Sequence, residues 1–141
     1  MSKTKVSKGK MTKKGKGKKS AKKRILVVDD DEIIVSLVKE ILEGEGFKVE
    51  VARDGMEGLE KIKKDGYDAI ISNMNMPRMK GDKLYLEVKG LSPTLAKKII
   101  FISGIINDFI KSTGNPYLKK PFSREELVKT VKDIIGSYKK S

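Results

Sequence analysis

Cysteine and histidine are both absent from the 141 residues of this chain. Without cysteine, the protein has no disulfide, no thiolate zinc site and no cysteine nucleophile. Without histidine, it has no Ser-His-Asp triad, no imidazole metal ligand and no side chain that donates a phosphoryl group as phosphohistidine. The chemistry that remains open depends on the other polar side chains.

Long hydrophobic runs are absent as well. The longest, IIFI at 99–102, has the length of a buried strand, well below the roughly 18–20 residues that span a bilayer. The first 24 residues carry positive charge but contain no apolar run of the kind found in a signal peptide, which excludes a secretory signal. They also nearly lack Arg and have no apolar face, which argues against a transit peptide or a membrane-surface helix. We therefore expect no membrane association and a cytoplasmic location.

Acidic residues are missing from the first 24 positions, and the net charge of +13 arises there. Residues 1–24 contain eleven Lys and one Arg, whereas residues 25–141 contain 20 basic and 19 acidic residues. The first segment has too few apolar side chains to offset the entropy lost on ordering. We predict a disordered Lys-rich tail at 1–24 and a folded domain at 25–141. The tail is either a solubilising segment or an arm that binds polyanions.

From residue 25 onward, apolar runs alternate with segments of helical periodicity. The run at 25–28 is continuous, as in a parallel strand covered on both faces. Further strands are predicted at 47–51, 69–71, 99–102 and 117–119. The first helix carries one broad apolar stripe made of Ile33, Ile34, Leu37, Val38, Ile41 and Leu42. Ser123 and Glu126 predict a capping box at the start of the last helix. Five such βα units predict an α/β fold with a parallel sheet and helices on both faces.

Polar side chains follow four of the predicted strands. Asp29 and Asp30 follow the first strand and Asn73 follows the third, while Ser103 and Lys120 follow the fourth and fifth. The carboxyl ends of parallel strands meet at one edge of the sheet, so we expect these side chains to converge. Carboxylates suit Mg²⁺, and an ammonium group and a hydroxyl suit phosphoryl oxygens. Each residue alone also has a structural explanation, as a helix cap (Asp30 or the acid after it), a turn or a solvated loop lysine.

The stretches ILVVDDD, DAIISNMNMPRMKG, IIFISG and YLKKPF, in this order, resemble the receiver domain of response regulators in two-component signalling. The resemblance covers all but the tail and implies a flavodoxin-like doubly wound sheet of order 2-1-3-4-5. It also implies a Mg²⁺ site, a histidine kinase or another signalling protein as partner, and no enzymatic activity. The roles it implies are Asp29 and Asp30 as metal ligands, the Asn75 backbone carbonyl as a further ligand, Ser103 as the switch hydroxyl, Lys120 as the site lysine and Tyr117 as the aromatic switch.

The phosphoacceptor position departs from the family pattern. The family acceptor is an aspartate four residues before the motif proline, and the residue four before Pro77 is Asn73. An amide is a poor nucleophile, because its nitrogen lone pair is delocalised and its oxygen carries no full charge. The lost negative charge also weakens Mg²⁺ binding, so that Asn73 is at best a weak ligand. We expect aspartyl phosphorylation to be blocked, in either a natural pseudo-receiver or an Asp→Asn variant.

A second departure lies between Ser103 and Lys120, where the chain is short for the family. The fourth helix of the βα series is therefore predicted to be reduced to about two turns or replaced by a loop. In the family, the face that includes this helix often carries the output. We expect that face to be altered, so the output partner does not follow from the resemblance.

Two other classes of function stay open from the sequence. One is a nucleic-acid- or polyanion-binding protein that acts through residues 1–24. Such binding would ignore base sequence, because the tail has no aromatic residue and a single Arg. The other is a flavodoxin-like enzyme or cofactor binder, which the lack of a Gly-rich phosphate loop after the first strand disfavours. The oligomeric state is not predicted.

Overall fold

The computed structural model describes residues 22–140, with side chains described up to residue 136. Strands and helices alternate through this region. The strands are β1 (Arg24–Val28), β2 (Lys48–Ala52), β3 (Ala69–Asn73), β4 (Ile99–Ser103) and β5 (Tyr117–Lys119). The helices are α1 (Glu32–Gly44), α2 (Gly55–Lys64), α3 (Gly81–Leu91), α4 (Pro93–Ala96), α5 (Asp108–Thr113) and α6 (Arg124–Lys140). Among the described residues, no helix is both long and apolar enough to cross a membrane.

The five strands form one parallel sheet of order β2-β1-β3-β4-β5, which confirms the predicted flavodoxin-like topology. Strand order reverses between β1 and β3, because the chain first adds β2 on one side of β1 and then crosses to the other side. A crevice at the carboxyl ends of β1 and β3 is the usual ligand position in such a sheet. Val28 pairs with Ser72 across these strands, so the residue after β1 and the last residue of β3 are neighbours.

Helices cover both faces of the sheet, which explains why the central strands are apolar along their whole length. On one face, Leu26, Ile70 and Phe101 pack into a core with residues of α2 and α3. On the other face, Val27 and Ile71 pack into a core with residues of α1 and α6. The sheet therefore forms a rigid base for the loops at its carboxyl edge.

The domain begins slightly earlier than predicted. We assigned Arg24 to the tail, but it is the first residue of β1. Its backbone nitrogen donates to the Asp68 carboxylate at 2.8 Å, and its carbonyl accepts from the Asp68 nitrogen at 2.7 Å. These two backbone hydrogen bonds hold Arg24 in the strand although its side chain is charged. The disorder predicted for residues 1–21 lies outside the described residues.

Both predicted helix starts at charged segments are capped. The Asp31 carboxylate accepts from the backbone nitrogens of Ile33 and Ile34 and caps α1. Before α6, the Glu126 nitrogen donates to Ser123 Oγ at 3.0 Å, and the Ser123 nitrogen donates to Glu126 Oε1 at 2.8 Å. The capping box is confirmed. Because Asp31 caps α1, the two preceding aspartates are not needed for that purpose.

Only part of the apolar stripe of α1 is buried in the core. Val38 and Leu42 are buried, but Ile33 is 79% exposed and Leu37 is 46% exposed. The predicted stripe is therefore only partly buried, and these two positions lie outside the core. Leu37 borders a groove that is also lined by Lys120, Pro121 and Phe122.

The helix between β4 and β5 is short, as predicted. α5 has six residues, begins after an Asn107 cap and ends at Gly114. Phe109 of this helix packs edge-on against Tyr85 and Phe101, with ring centroids 5.8 and 6.3 Å away. These contacts hold the shortened helix against α3 and β4. The preceding helix, α3, ends at Leu91 and is followed by the extra short helix α4, which begins at Pro93.

Candidate functional site

The site lies in the crevice at the carboxyl ends of β1 and β3. Asp29 follows β1 and is 2% exposed, and Asn73 is the last residue of β3 and is also buried. The strand register places the two side by side. Asn75 follows in the loop between β3 and α3. The buried polar pair is a product of the sheet topology, since its two members are 44 residues apart.

The Asn73 amide connects two of the predicted metal ligands. Its Nδ2 donates to Asp29 Oδ1 at 3.1 Å and to the Asn75 carbonyl oxygen at 3.1 Å. A carboxylate and a carbonyl only accept hydrogen bonds, so both require the NH₂ group of the amide to face them. The two N–H donors therefore lie where the oxygens of Asp29 and Asn75 converge, which is the position that the resemblance assigns to a cation.

Asp29 is a buried carboxylate that is only partly satisfied. Burial raises the pKa of its carboxyl group, while hydrogen bonds from the Asp31 backbone and the Asn73 amide and the positive charge of Lys120 act in the opposite direction. The Asp31 nitrogen donates to Oδ1 at 3.0 Å. Asp29 Oδ2 is buried and has no hydrogen-bond partner. A buried carboxylate oxygen without a donor is costly unless a ligand completes it.

The residues present suit a divalent cation only in part. Asp29 and Asp30 offer carboxylate oxygens and Asn75 offers a carbonyl oxygen, which are ligands of the kind that Mg²⁺ takes. The unpartnered Asp29 Oδ2 is a further acceptor that a cation would satisfy. However, a cation would also have to displace the Asn73 amide from two of these oxygens. Within residues 22–140, no three His, Cys, Asp or Glu side chains form a group that could hold a metal ion.

Asp30 and Lys120 lie at the edges of the crevice. Asp30 is exposed and lines a shallow cavity together with Asp29. Lys120 is close enough for its positive charge to oppose the rise in the pKa of Asp29 that burial causes. Its backbone nitrogen donates to the Ser103 carbonyl at 2.9 Å, which joins the ends of β4 and β5. The structure therefore gathers the predicted acids and the lysine at one edge of the sheet.

Ser103 and Tyr117 are the two predicted switch residues, and no hydrogen bond is found between either of them and Asn73 among the described residues. The Ser103 hydroxyl donates to the Ile105 carbonyl at 2.7 Å and accepts from the Ile105 nitrogen at 3.2 Å, so it is engaged by its own loop. Tyr117 is 44% exposed on the edge strand β5. A cavity lined in part by Asn75 and Ser103 separates the β3 loop from the β4 loop, and Lys80 and Asp82 also line it.

Sequence reasoning missed one ion pair beside the site. Arg78, in the loop after β3, donates from Nε to Asp54 Oδ2 at 2.7 Å and from Nη2 to Asp54 Oδ1 at 3.1 Å. Asp54 also caps α2 by accepting from the Glu57 nitrogen. The spacing of Asp54 and Glu57 before an apolar helix is a capping signal that could have identified Asp54. Nothing in the sequence indicates that Arg78 is its partner.

Comparison with known proteins agrees with the fold. The family model described as the response regulator receiver domain matches residues 25–132. The response regulator MprA of Mycobacterium tuberculosis is 30% identical over 115 residues, a match that covers 79% of this chain and 50% of that protein. The chain thus spans about half the length of the curated relatives that it matches.

Solved structures give the same result. A CheY-like response regulator receiver domain protein of Methanospirillum hungatei superposes with a TM-score of 0.79 at 32% identity, covering 85% of this chain and 98% of that one. The chemotaxis protein CheY4 of Vibrio cholerae gives a TM-score of 0.73 at 34% identity, covering 81% and 99%. Given the family match, the sheet order and these structures, the chain belongs to the response regulator receiver domain family.

Proposed function

We propose that this chain is a receiver module of a two-component phosphorelay in which Asn73 occupies the phosphoacceptor position and blocks aspartyl phosphorylation. The module catalyses no reaction of its own and signals through protein–protein contacts, with a histidine kinase or another signalling protein as partner. Mg²⁺ binds weakly or not at all. The cytoplasmic location remains a prediction from composition.

The chemical basis of the block is the nucleophile. A carboxylate oxygen attacks the phosphorus of a phosphohistidine, the P–N bond breaks, and an acyl phosphate forms. An amide nitrogen cannot take this part, because its lone pair is delocalised into the carbonyl group. In addition, both N–H groups of Asn73 are already engaged with Asp29 and Asn75. The residue that would have to react is therefore neutral and held in place.

One observation carries the proposal: the Asn73 amide donates to both Asp29 Oδ1 and the Asn75 carbonyl. In this position the NH₂ group supplies the partial positive charge that a cation would otherwise supply. Mg²⁺ would have to break two hydrogen bonds and would gain one charged ligand fewer than in an aspartate site. The same substitution therefore weakens the metal site and removes the nucleophile.

An exposed apolar patch supports a role through protein contacts. Ile33 and Leu37 of α1 are exposed apolar side chains, with 79% and 46% of their surface accessible. A shallow groove is lined by Ile34, Leu37, Lys120, Pro121 and Phe122. A partner bound in this groove would contact Lys120 and so reach the edge of the crevice. Exposed apolar surface next to a polar site is typical of protein docking surfaces.

Intact-protein mass spectrometry after incubation with Mg²⁺ and acetyl phosphate tests the block. The chain should gain no phosphoryl group, and the Asn73→Asp variant should gain one. The Asn73→Asp/Asp29→Asn double variant is the matched control and should gain none, because it again lacks one carboxylate. A phosphoryl adduct on the Asn73 protein would overturn the proposal. An unmodified Asn73→Asp variant would show that the defect lies beyond residue 73.

A second candidate function is nucleic-acid binding through the basic tail. Residues 1–24 carry twelve basic side chains and no acid, and the chain enters the domain at Arg24, at the end of β1 opposite Asp29. Binding should weaken by roughly 0.7–0.9 log units per log unit of salt for each phosphate contacted.

A deletion separates this function from the receiver role. Removing residues 1–21 leaves Lys23, whose carbonyl accepts from the Lys48 nitrogen at 2.9 Å, and Arg24, which starts β1. The deleted protein should lose salt-dependent binding to both random duplex DNA and RNA. Binding that survives the deletion would rule out the tail as the binding element.

A further inference from the structure

Arg78 holds an unusual backbone conformation next to the site. Its φ is 65°, and among the described residues it is the one non-glycine residue with a positive φ. This left-handed region is strained for residues with a Cβ atom. Such residues persist where the surrounding contacts determine them, and they are often found near functional sites. Contacts of the Arg78 side chain must therefore compensate for the strain at a position that suits glycine.

The contacts of Arg78 provide this compensation. Its guanidinium makes two hydrogen bonds to the Asp54 carboxylate, at 2.7 and 3.1 Å. The Asp54 side chain is only 10% exposed, whereas that of Arg78 is 61% exposed. The Arg78 guanidinium beside it lowers the pKa of Asp54, so the carboxyl group stays ionised at neutral pH. A two-point contact of this kind fixes orientation as well as distance.

The same loop presses against the start of α2. The Gly55 nitrogen donates to the Met79 carbonyl at 3.2 Å, and a Cβ atom at Gly55 would collide with that oxygen. At the other end of the loop, the Gly81 nitrogen donates to the Met74 carbonyl at 3.0 Å. Between these attachments lies Asn75, whose carbonyl accepts from the Asn73 amide.

We propose that the Arg78–Asp54 pair is a clasp that positions the Asn75 carbonyl toward residue 73. In this chain the clasp aligns the carbonyl with the Asn73 amide, and in an Asn73→Asp protein it would align the same oxygen for a cation. Arg78 and Asp54 are positioning residues, since their side chains bond to each other and to the Glu57 nitrogen and act on Asn73 through the loop. The inference concerns the geometry of the loop and does not depend on the phosphorylation block.

Two variants, Asp54→Ser and Arg78→Gly, separate the clasp from other roles of these residues, and Arg78→Lys serves as an intermediate case. Asp54→Ser retains a good helix cap for α2 but is too short to pair with Arg78. Arg78→Gly removes the pair and also relieves the strained backbone. Arg78→Lys keeps the charge but not the two-point contact, and should fall between them and the parent protein. If Asp54 acted only as a helix cap, or Arg78 only through its strained backbone, Asp54→Ser and Arg78→Gly would not have the same effect on the loop.

The side-chain NH₂ signals of Asn73 in a ¹⁵N-correlated NMR spectrum are the direct readout. They are identified as the pair that disappears in Asn73→Asp. In Asp54→Ser and in Arg78→Gly, these signals should move toward the values of a solvated amide and exchange faster with water. The Asn115 side-chain amide, which donates to the carbonyls of Ala96 and Ile99, is an internal control and should stay unchanged.

A second readout uses Mg²⁺ in the Asn73→Asp background. Adding Asp54→Ser or Arg78→Gly there should raise the Mg²⁺ dissociation constant about tenfold, as for other residues that orient metal ligands. Unchanged Asn73 signals in both variants would overturn the clasp. A shift of the Asn73 signals together with an Asn73→Asp protein that cannot be phosphorylated would retain the clasp and reject the proposed function.

Discussion

At the amino end of the sheet, charged side chains are paired with one another, whereas at the carboxyl end a buried carboxylate is left incomplete. The Arg24 guanidinium forms an ion pair with Glu50 and lies 4.9 Å from the centre of the Tyr67 ring. The Tyr67 hydroxyl donates to Glu50 at 2.9 Å. Arg24 Nε makes no hydrogen bond, but it belongs to a guanidinium that is bonded elsewhere. Asp29 Oδ2, by contrast, is an acceptor with no partner.

This difference distinguishes a structural charge cluster from a functional one. The amino-end cluster of Arg24, Glu50 and Tyr67 joins β1 to β2 and to the segment before β3, and its charged groups are paired although Arg24 Nε makes no hydrogen bond. At the carboxyl end, Asp29 Oδ1 accepts from two donors, the Asp31 nitrogen and the Asn73 amide, whereas Oδ2 has no hydrogen-bond partner. Sites that bind ligands keep such unsatisfied groups at the expense of stability. Substitutions at the two ends should therefore change stability in opposite directions.

The largest effect is expected for Arg24→Ala. This change removes the ion pair with Glu50, the bond to the Gly66 carbonyl and the contact with the Tyr67 ring. We expect a loss of about 2 kcal/mol in the free energy of unfolding, since partial exposure of both charged side chains limits the value of the pair. Urea denaturation measures it. Arg24→Lys should recover part of the loss. A change below about 0.5 kcal/mol in the free energy of unfolding of full-length Arg24→Ala would show that this cluster has no structural role.

Glu50→Gln should have a smaller effect that depends on pH. The hydrogen bond from Arg24 lowers the pKa of Glu50 below the ordinary value of a glutamate. A carboxyl group with a lowered pKa stabilises the fold above its unfolded-state pKa, and this contribution disappears as the pH falls through the folded-state pKa. The parent protein should therefore exceed Glu50→Gln in stability by about 1 kcal/mol at pH 7 and lose this advantage at an acidic pH below the folded-state pKa of Glu50. An equal difference at both pH values would contradict the assignment.

The fold and the position of the site were readable from the sequence because they depend on local patterns. Continuous apolar runs, such as the one at 25–28, correspond to strands buried on both faces, and the residues after them meet because parallel strands end at one edge. The partners of individual side chains were not readable. Arg78 and Asp54 are 24 residues apart, and Asn73 and Asp29 are 44 apart, so only the folded chain brings each pair together.

Helical periodicity also has a limit that α1 illustrates. A regular apolar pattern predicts which residues share a face but not how far the supporting sheet extends beneath that face. Ile33 and Leu37 lie on the predicted stripe, yet both are exposed because the sheet and the neighbouring helix cover only part of it. The part of the stripe that the core leaves uncovered is the part that we connect with docking.

At the carboxyl end, Asp29→Asn should stabilise the protein. The amide keeps an oxygen for the donors at Asp31 and Asn73 but removes the buried charge. We expect a gain of about 0.5–1 kcal/mol at pH 7, which is opposite in sign to Arg24→Ala. Thermal and urea unfolding of the two variants side by side provide the measurement. A loss as large as that of Arg24→Ala would mean that both ends of the sheet are built for stability alone.

The smallest effect on the domain is expected from deletion of residues 1–21. The chain enters the sheet at Arg24, at the opposite end from Asp29, so the deletion should change the free energy of unfolding by less than about 0.5 kcal/mol. Phosphorylation of the Asn73→Asp variant should also be unaffected. A larger change in the free energy of unfolding, or any change in phosphorylation of Asn73→Asp, would indicate that the basic segment acts on the folded domain.

The most direct test of the central claim, that the Asn73 amide takes the place of a cation between Asp29 and Asn75, is a Mg²⁺ titration followed through the NMR signals of the crevice. The Asn73 side-chain NH₂ signals should stay in place in the parent protein at Mg²⁺ concentrations that saturate the Asn73→Asp variant. Equal Mg²⁺ affinity in the two proteins, or Asn73 signals that already match a solvated amide without Mg²⁺, would contradict the account.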